Sequence, residues 1–89
     1  LAYRIEFAPR AVRQFKALDR GIQIRLARRI DALAANPRSQ GFKKLAGEDD
    51  LYRVRVGDYR ILYQIQEKTV VVLIVGVGQR SEIYRELRR

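Results

Sequence analysis

The stretch that most constrains this chain is Tyr52 to Tyr63, Tyr-Arg-Val-Arg-Val-Gly-Asp-Tyr-Arg-Ile-Leu-Tyr. Tyr52, Val54 and Val56 alternate with Arg53 and Arg55 at the strand period of two. Gly57-Asp58 is a two-residue connection of the kind that supplies the positive φ of a tight hairpin turn. A loop of that length fixes the register. Val56 then faces Tyr59, Arg55 faces Arg60, Val54 faces Ile61, Arg53 faces Leu62 and Tyr52 faces Tyr63. One face is an apolar set suited to a core. The other sets Arg55 directly across from Arg60, an arrangement of like charges that costs stability. A fold that keeps such a pair is expected to place an anion between them.

Upstream, Leu1 to Phe7 alternates apolar and polar residues and predicts a half-buried first strand. Pro9 suits the first turn of a helix, and Ala11, Phe15 and Leu18 recur at helical spacing. After a break at Asp19-Arg20-Gly21, the stripe Ile22, Leu26, Ile30, Leu33 predicts a second helix that ends at Asn36-Pro37. Arg38 to Asp50, which contains Lys43-Lys44, reads as a surface loop. Strands are predicted over 51–56, 59–66 and 69–77, the last apolar on both faces and so central. Residues 80–87 predict a short terminal helix with Ser81 near its start. The order is β-α-α-β-β-β-α, one α+β domain over 1–89 with an antiparallel sheet and a helical hairpin on one face.

The last strand must run back along its predecessor, so Gly76-Val77-Gly78 is expected beside Tyr59-Asp58. Arg80 is thereby delivered close to Arg55 and Arg60. Three guanidiniums around one point form an oxyanion clamp, because each offers planar forked donors matched to phosphate oxygens. Tyr84, four positions after Arg80, has two readings, helix packing or stacking on a base. Lys43 and Lys44 add candidate backbone contacts, and Tyr52, Tyr59 and Tyr63 read as core. The cations at 13, 16, 25, 28 and 29 read as solvated helix faces, and Asp49 and Asp50 as loop solvation.

Composition narrows the chemistry. Nineteen Lys and Arg against ten Asp and Glu give a formal charge of +9, which favours polyanionic partners. There is no cysteine and no histidine, which removes disulfides, thiolate metal sites and the usual general acid–base residue. No metal and no cofactor are expected. The longest apolar run, Val70 to Val77, is too short to span a bilayer, and no stretch reads as a signal peptide, so no membrane partner is expected. RNA carries its own nucleophile, the 2′-hydroxyl, so a cationic clamp on RNA can cut with neither metal, serine nor cysteine.

Two runs carry a family resemblance: Lys43-Lys44-Leu45 with Leu51 to Tyr63, and Val75-Gly76-Val77-Gly78-Gln79-Arg80-Ser81-Glu82-Ile83-Tyr84. Together they resemble the RelE branch of the RelE/ParE toxins of type II toxin–antitoxin pairs, over nearly the whole chain. The resemblance implies a microbial-RNase-like fold, a cytoplasmic endoribonuclease acting on mRNA in the ribosomal A site, and a cognate antitoxin protein as partner. It implies roles for Arg53 and Arg55 as the basic residues of the second strand, where the best-known pattern has lysine. Arg60 takes the place of a phosphate-binding arginine, Arg80 of an acid or transition-state stabiliser, and Tyr84 of a base-stacking tyrosine. Gln79 stands where many relatives carry His or Lys. The same superfamily holds a second activity, ParE-like inhibition of DNA gyrase.

Overall fold

In the computed structural model, which describes residues 2–45 and 50–79, the hairpin forms with the predicted register. Strands Leu51–Val56 and Tyr59–Gln66 flank a turn in which Gly57 has φ +61°, a conformation open to glycine at no steric cost. The first strand, β1, spans Arg4–Phe7, and α1 (Pro9–Lys16) begins with Pro9, whose fixed φ suits a first helical turn. Helix α2 covers Arg20–Ala35. Four further strands complete the sheet: β2 (Lys43–Lys44), then β3 and β4 as the hairpin, then β5 (Val71–Gln79). The predicted terminal helix at 80–87 lies outside the described residues.

The fold is α+β as expected, with two corrections. The sheet is mixed rather than wholly antiparallel: its order is β1-β5-β4-β3-β2, and β1 runs parallel to β5, with Arg4 opposite Val71 and Phe7 opposite Ile74. The helices carry the chain over the sheet, so β1 can meet the last strand in the same direction. The second correction concerns the expected loop at 38–50. Lys43 and Lys44 pair with Arg53 and Tyr52 as a short edge strand, followed by Leu45 N–H donating to Leu51 O at 2.9 Å.

The core lies between the sheet and both helices. Ala11 of α1 and Leu26, Ile30 and Leu33 of α2 pack against Val54, Ile61, Tyr63, Ile65, Val72, Ile74 and Val77. The predicted α2 stripe is therefore the buried one, and each fully buried aliphatic side chain contributes about 1.5–3 kcal/mol. Tyr52 and Tyr59 are half-buried against this core, and the rings of Tyr52 and Tyr63 lie 6.0 Å apart. Tyr63 is fully buried, and its hydroxyl donates to Pro37 O at 2.6 Å, which ties β4 to the end of α2. Burial pushes the Tyr63 phenol up to about 12, opposed by the charges of Arg29 and Arg38.

At the β4–β5 turn, Glu67 accepts from Arg38 and, at 2.9 Å, from the Tyr3 hydroxyl, joining β1, the α2–β2 connection and the turn. The Arg38 and Tyr3 donors hold its carboxyl below the usual range. Val70 closes this turn at φ 56°. Its carbonyl accepts the Arg4 N–H at 2.9 Å, adding a bond at the start of the β1–β5 pairing. A β-branched residue there is strained by about 1–2 kcal/mol.

Two outcomes follow from these contacts. Tyr63→Phe leaves the buried Pro37 carbonyl without its donor and should cost about 1–3 kcal/mol in urea denaturation at neutral pH. Because the folded phenol titrates above its unfolded value, its contribution is complete below pH 10 and is lost as the pH rises toward about 12, so the gap between wild type and Tyr63→Phe should narrow over that window. Val70→Gly should stabilise by about 0.5–1 kcal/mol, the relieved strain outweighing glycine's extra unfolded entropy, and raise the melting temperature by roughly 2–6 °C.

Candidate functional site

Side chains directly opposite one another in an antiparallel pair share a face of the sheet. Arg55 opposes Arg60, and Lys43 opposes Arg53, so these four cations all lie on the face away from the helices. Lys44 opposes Tyr52 and projects to the other face at the sheet edge. The expected lysine pair is thus divided, and only Lys43 joins the arginines. Arg55 is exposed and Arg53 half-buried. Arg60 is only 5% exposed, contrary to the expectation of a side chain outside the core. It sits on an inner strand, and the same face carries a small apolar cluster of Leu51 and Leu62 with Leu45 and Val75.

The third strand of the site is shaped by a bulge. β5 pairs Ile74 with Tyr63 and Gly76 with Leu62, leaving Val75 as the extra residue. An inserted residue exchanges the two faces for everything beyond it. Val77 therefore returns to the core opposite Ile61, while Gly76 and Gly78 fall beside Leu62 and Arg60 on the cationic face. Directly beside Arg60, β5 therefore presents only the backbone of Gly78. Its end is held from the helical layer: Gln14 of α1 accepts the Val77 N–H at 3.0 Å, beyond the reach of the short β1. Gln79 pairs with Tyr59, as the connectivity predicts. Arg80 and Tyr84 lie outside the described residues.

Of the helix cations read as solvated, Arg29 is built into the fold, and Arg25, though exposed, meets the hairpin turn. Arg29 donates to Ser39 Oγ and to Gln40 O, both at 3.0 Å, fixing the segment that leads into β2. Arg25 lies against the hairpin turn: a Cβ added at Gly57 would sit 2.8 Å from its Nη2. Sequence periodicity places both on the polar side of α2, and no local signal distinguishes them from Arg28.

A small basic α+β domain whose outer sheet face gathers cations beside side-chain-free backbone is suited to gripping phosphates. Residues 5–84 match the family described as "ParE toxin of type II toxin-antitoxin system, parDE". The chain is 31% identical over 90 residues to the mRNA interferase toxin RelE of Escherichia coli, covering 97% of this chain and 94% of that protein. The isolated E. coli RelE toxin superposes with a TM-score of 0.79 at 31% identity, over 98% of this chain and 96% of that one. The RelBE2 toxin–antitoxin complex of Mycobacterium tuberculosis gives 0.80 at 27% identity, over 90% and 100%. The protein belongs to the RelE/ParE superfamily of type II toxins.

The two opposed arginines differ in what their removal should do. Arg60→Ala deletes a nearly buried side chain and should cost about 1–3 kcal/mol, whereas Arg55→Ala, at an exposed position, should stay within about 0.5 kcal/mol of wild type. Urea denaturation of the two variants side by side measures the difference.

Proposed function

We propose that this toxin is a ribosome-dependent endoribonuclease that cuts mRNA in the A site and so arrests translation. The observation that carries the reading is the pairing of Arg55 with Arg60 on a face that also holds Arg53 and Lys43. The mRNA interferase name of its E. coli relative supports it. The 2′-hydroxyl of the substrate attacks the adjacent phosphorus and displaces the 5′-oxygen, leaving a 2′,3′-cyclic phosphate and a 5′-hydroxyl. Arg60 and Arg55 hold the non-bridging oxygens and stabilise the charge that develops on them. Lys43 and Arg53, opposite one another beside this pair, hold the strand on one side of the cleavage point. Arg80 is assigned to the departing oxygen and Tyr84 to the base, on their positions in the resembled pattern.

Guanidinium groups stay protonated throughout the physiological range, which makes an arginine a poor general base and a good fixed charge. Arg55 is accordingly assigned an electrostatic role, with proton removal falling to solvent, the ribosome or Tyr84. The ribosome supplies the substrate's orientation, which places the toxin's work in the cytoplasm. An acidic antitoxin is the expected neutralising partner for a +9 chain, in keeping with the toxin–antitoxin complexes of its relatives.

The match to the parDE family description favours a second reading, inhibition of DNA gyrase. Induced expression separates the two: mRNA fragments with intact chromosomal DNA support the nuclease, and double-strand breaks without mRNA cleavage overturn it. In single-turnover cleavage on programmed ribosomes, Arg55→Ala should slow the reaction by about 10²–10³-fold. Arg55→Lys should stay within about tenfold and keep the wild-type pH profile. A faster Arg55→Lys enzyme with a new ionisation would show that position 55 is the seat of a base.

A further inference from the structure

The cationic face ends at the hairpin tip, and the side chain that covers the tip comes from the helical layer. Gly57 does two things there. Its φ of +61° makes the turn, and its missing Cβ leaves room for Arg25 of α2, whose Nη2 would be 2.8 Å, and Cζ and Nη1 3.7 and 3.8 Å, from a Cβ at that position. Arg25 is exposed and forms no ion pair among the described residues, its neighbour in the turn, Asp58, included. In this it differs from Arg38, paired with Glu67, and from Arg4, paired with Glu6. Arg55 lies two residues back along β3, about 7 Å at the rise of a strand. A guanidinium seated on the turn thus continues the line of positive charge from Arg53 and Arg55 around the end of the sheet.

We propose that Arg25 is an RNA-binding residue: it holds a phosphate of the substrate strand where that strand passes the β3–β4 turn after leaving Arg55 and Arg60, and Gly57 is glycine partly to seat it. The proposal rests on the RNA-cleavage reading. Arg25 sets the path of the strand and takes no part in the chemistry.

The test uses a single-stranded oligoribonucleotide with 2′-O-methyl groups, which lacks the nucleophile, titrated against the full chain over a series of salt concentrations. Each phosphate contact to a single strand adds about 0.7 to the slope of log affinity against log salt. Arg25→Ala should flatten the slope by about that amount and weaken binding by about three- to tenfold at low salt, with its melting temperature unchanged. Gly57→Asn tolerates the positive φ but carries a Cβ that displaces Arg25, and it should reproduce the loss. Lys68→Ala, which removes one charge at the opposite end of the hairpin strands, should leave the slope as in wild type. If Arg25→Ala behaves like Lys68→Ala while Arg55→Ala flattens the slope, the role of Arg25 is overturned and the RNA site stands. If Arg55→Ala also behaves like Lys68→Ala, the RNA site itself is overturned. If Gly57→Asn binds as wild type while Arg25→Ala does not, the seating by glycine is overturned. An Arg25 effect confined to cleavage on ribosomes would overturn the assignment to the substrate strand and place the phosphate in ribosomal RNA.

Discussion

The arrangement of both faces of the sheet depends on a turn of two residues. Because Gly57 accepts φ +61°, the hairpin closes with Val56 opposite Tyr59, and every later pair follows. A slip of β4 by one residue against β3 would carry Ile61 and Tyr63 out of the core and turn Arg60 toward it. The energies are unequal. Burying each of those side chains contributes about 1.5–3 kcal/mol, whereas two like charges opposite one another cost about 0.2–1 kcal/mol. The apolar face therefore dictates the register, and the opposition of Arg55 and Arg60 is tolerated as its consequence. That opposition is also what suits the face to an anion, so the packing constraint and the proposed function share one cause.

A second device completes the face. Without the bulge at Val75, strict alternation would put Gly76 and Gly78 in the core and Val77 beside the arginines. The extra residue exchanges them, filling the core with Val77 and leaving bare backbone beside Arg60. Gln14 then supplies a partner for the Val77 N–H that β1, ending at Phe7, does not reach. An unpartnered N–H at a half-buried site would cost about 1–3 kcal/mol, so this one side chain from α1 steadies the strand end that borders the site.

The charges divide between structure and surface. Arg29 and Arg38 are spent on fixing the connection from α2 to β2 and the β4–β5 turn, where Glu67 also gathers Tyr3. The Glu67 ties lie at the β4–β5 turn, the end of β4 remote from the hairpin tip. At the tip, Arg25 and Arg55 are exposed, and the large positive excess of the chain is free to act on a polyanion.

The sequence by itself determined the hairpin and its register, both helices with their buried stripes, the central last strand and the candidate cations Arg53, Arg55 and Arg60. Each is a local matter: a period of two or 3.6, a glycine at a positive φ, a proline at a helix start. The tertiary structure decided what depends on residues far apart in the chain. β1 lies parallel to β5 because the helices return the chain over the sheet, and Lys43-Lys44 becomes a strand because β3 offers a free edge. Arg60 is buried because β4 is an inner strand, Arg29 is half-buried because a loop comes to meet it, and Arg25, still exposed, lies against the hairpin turn. A run of β-branched residues does not reveal a bulge, since apolar side chains suit either face. Only pairing against Leu62 and Tyr63 made Val75 the residue left over, and so brought Gly78 rather than Val77 to Arg60.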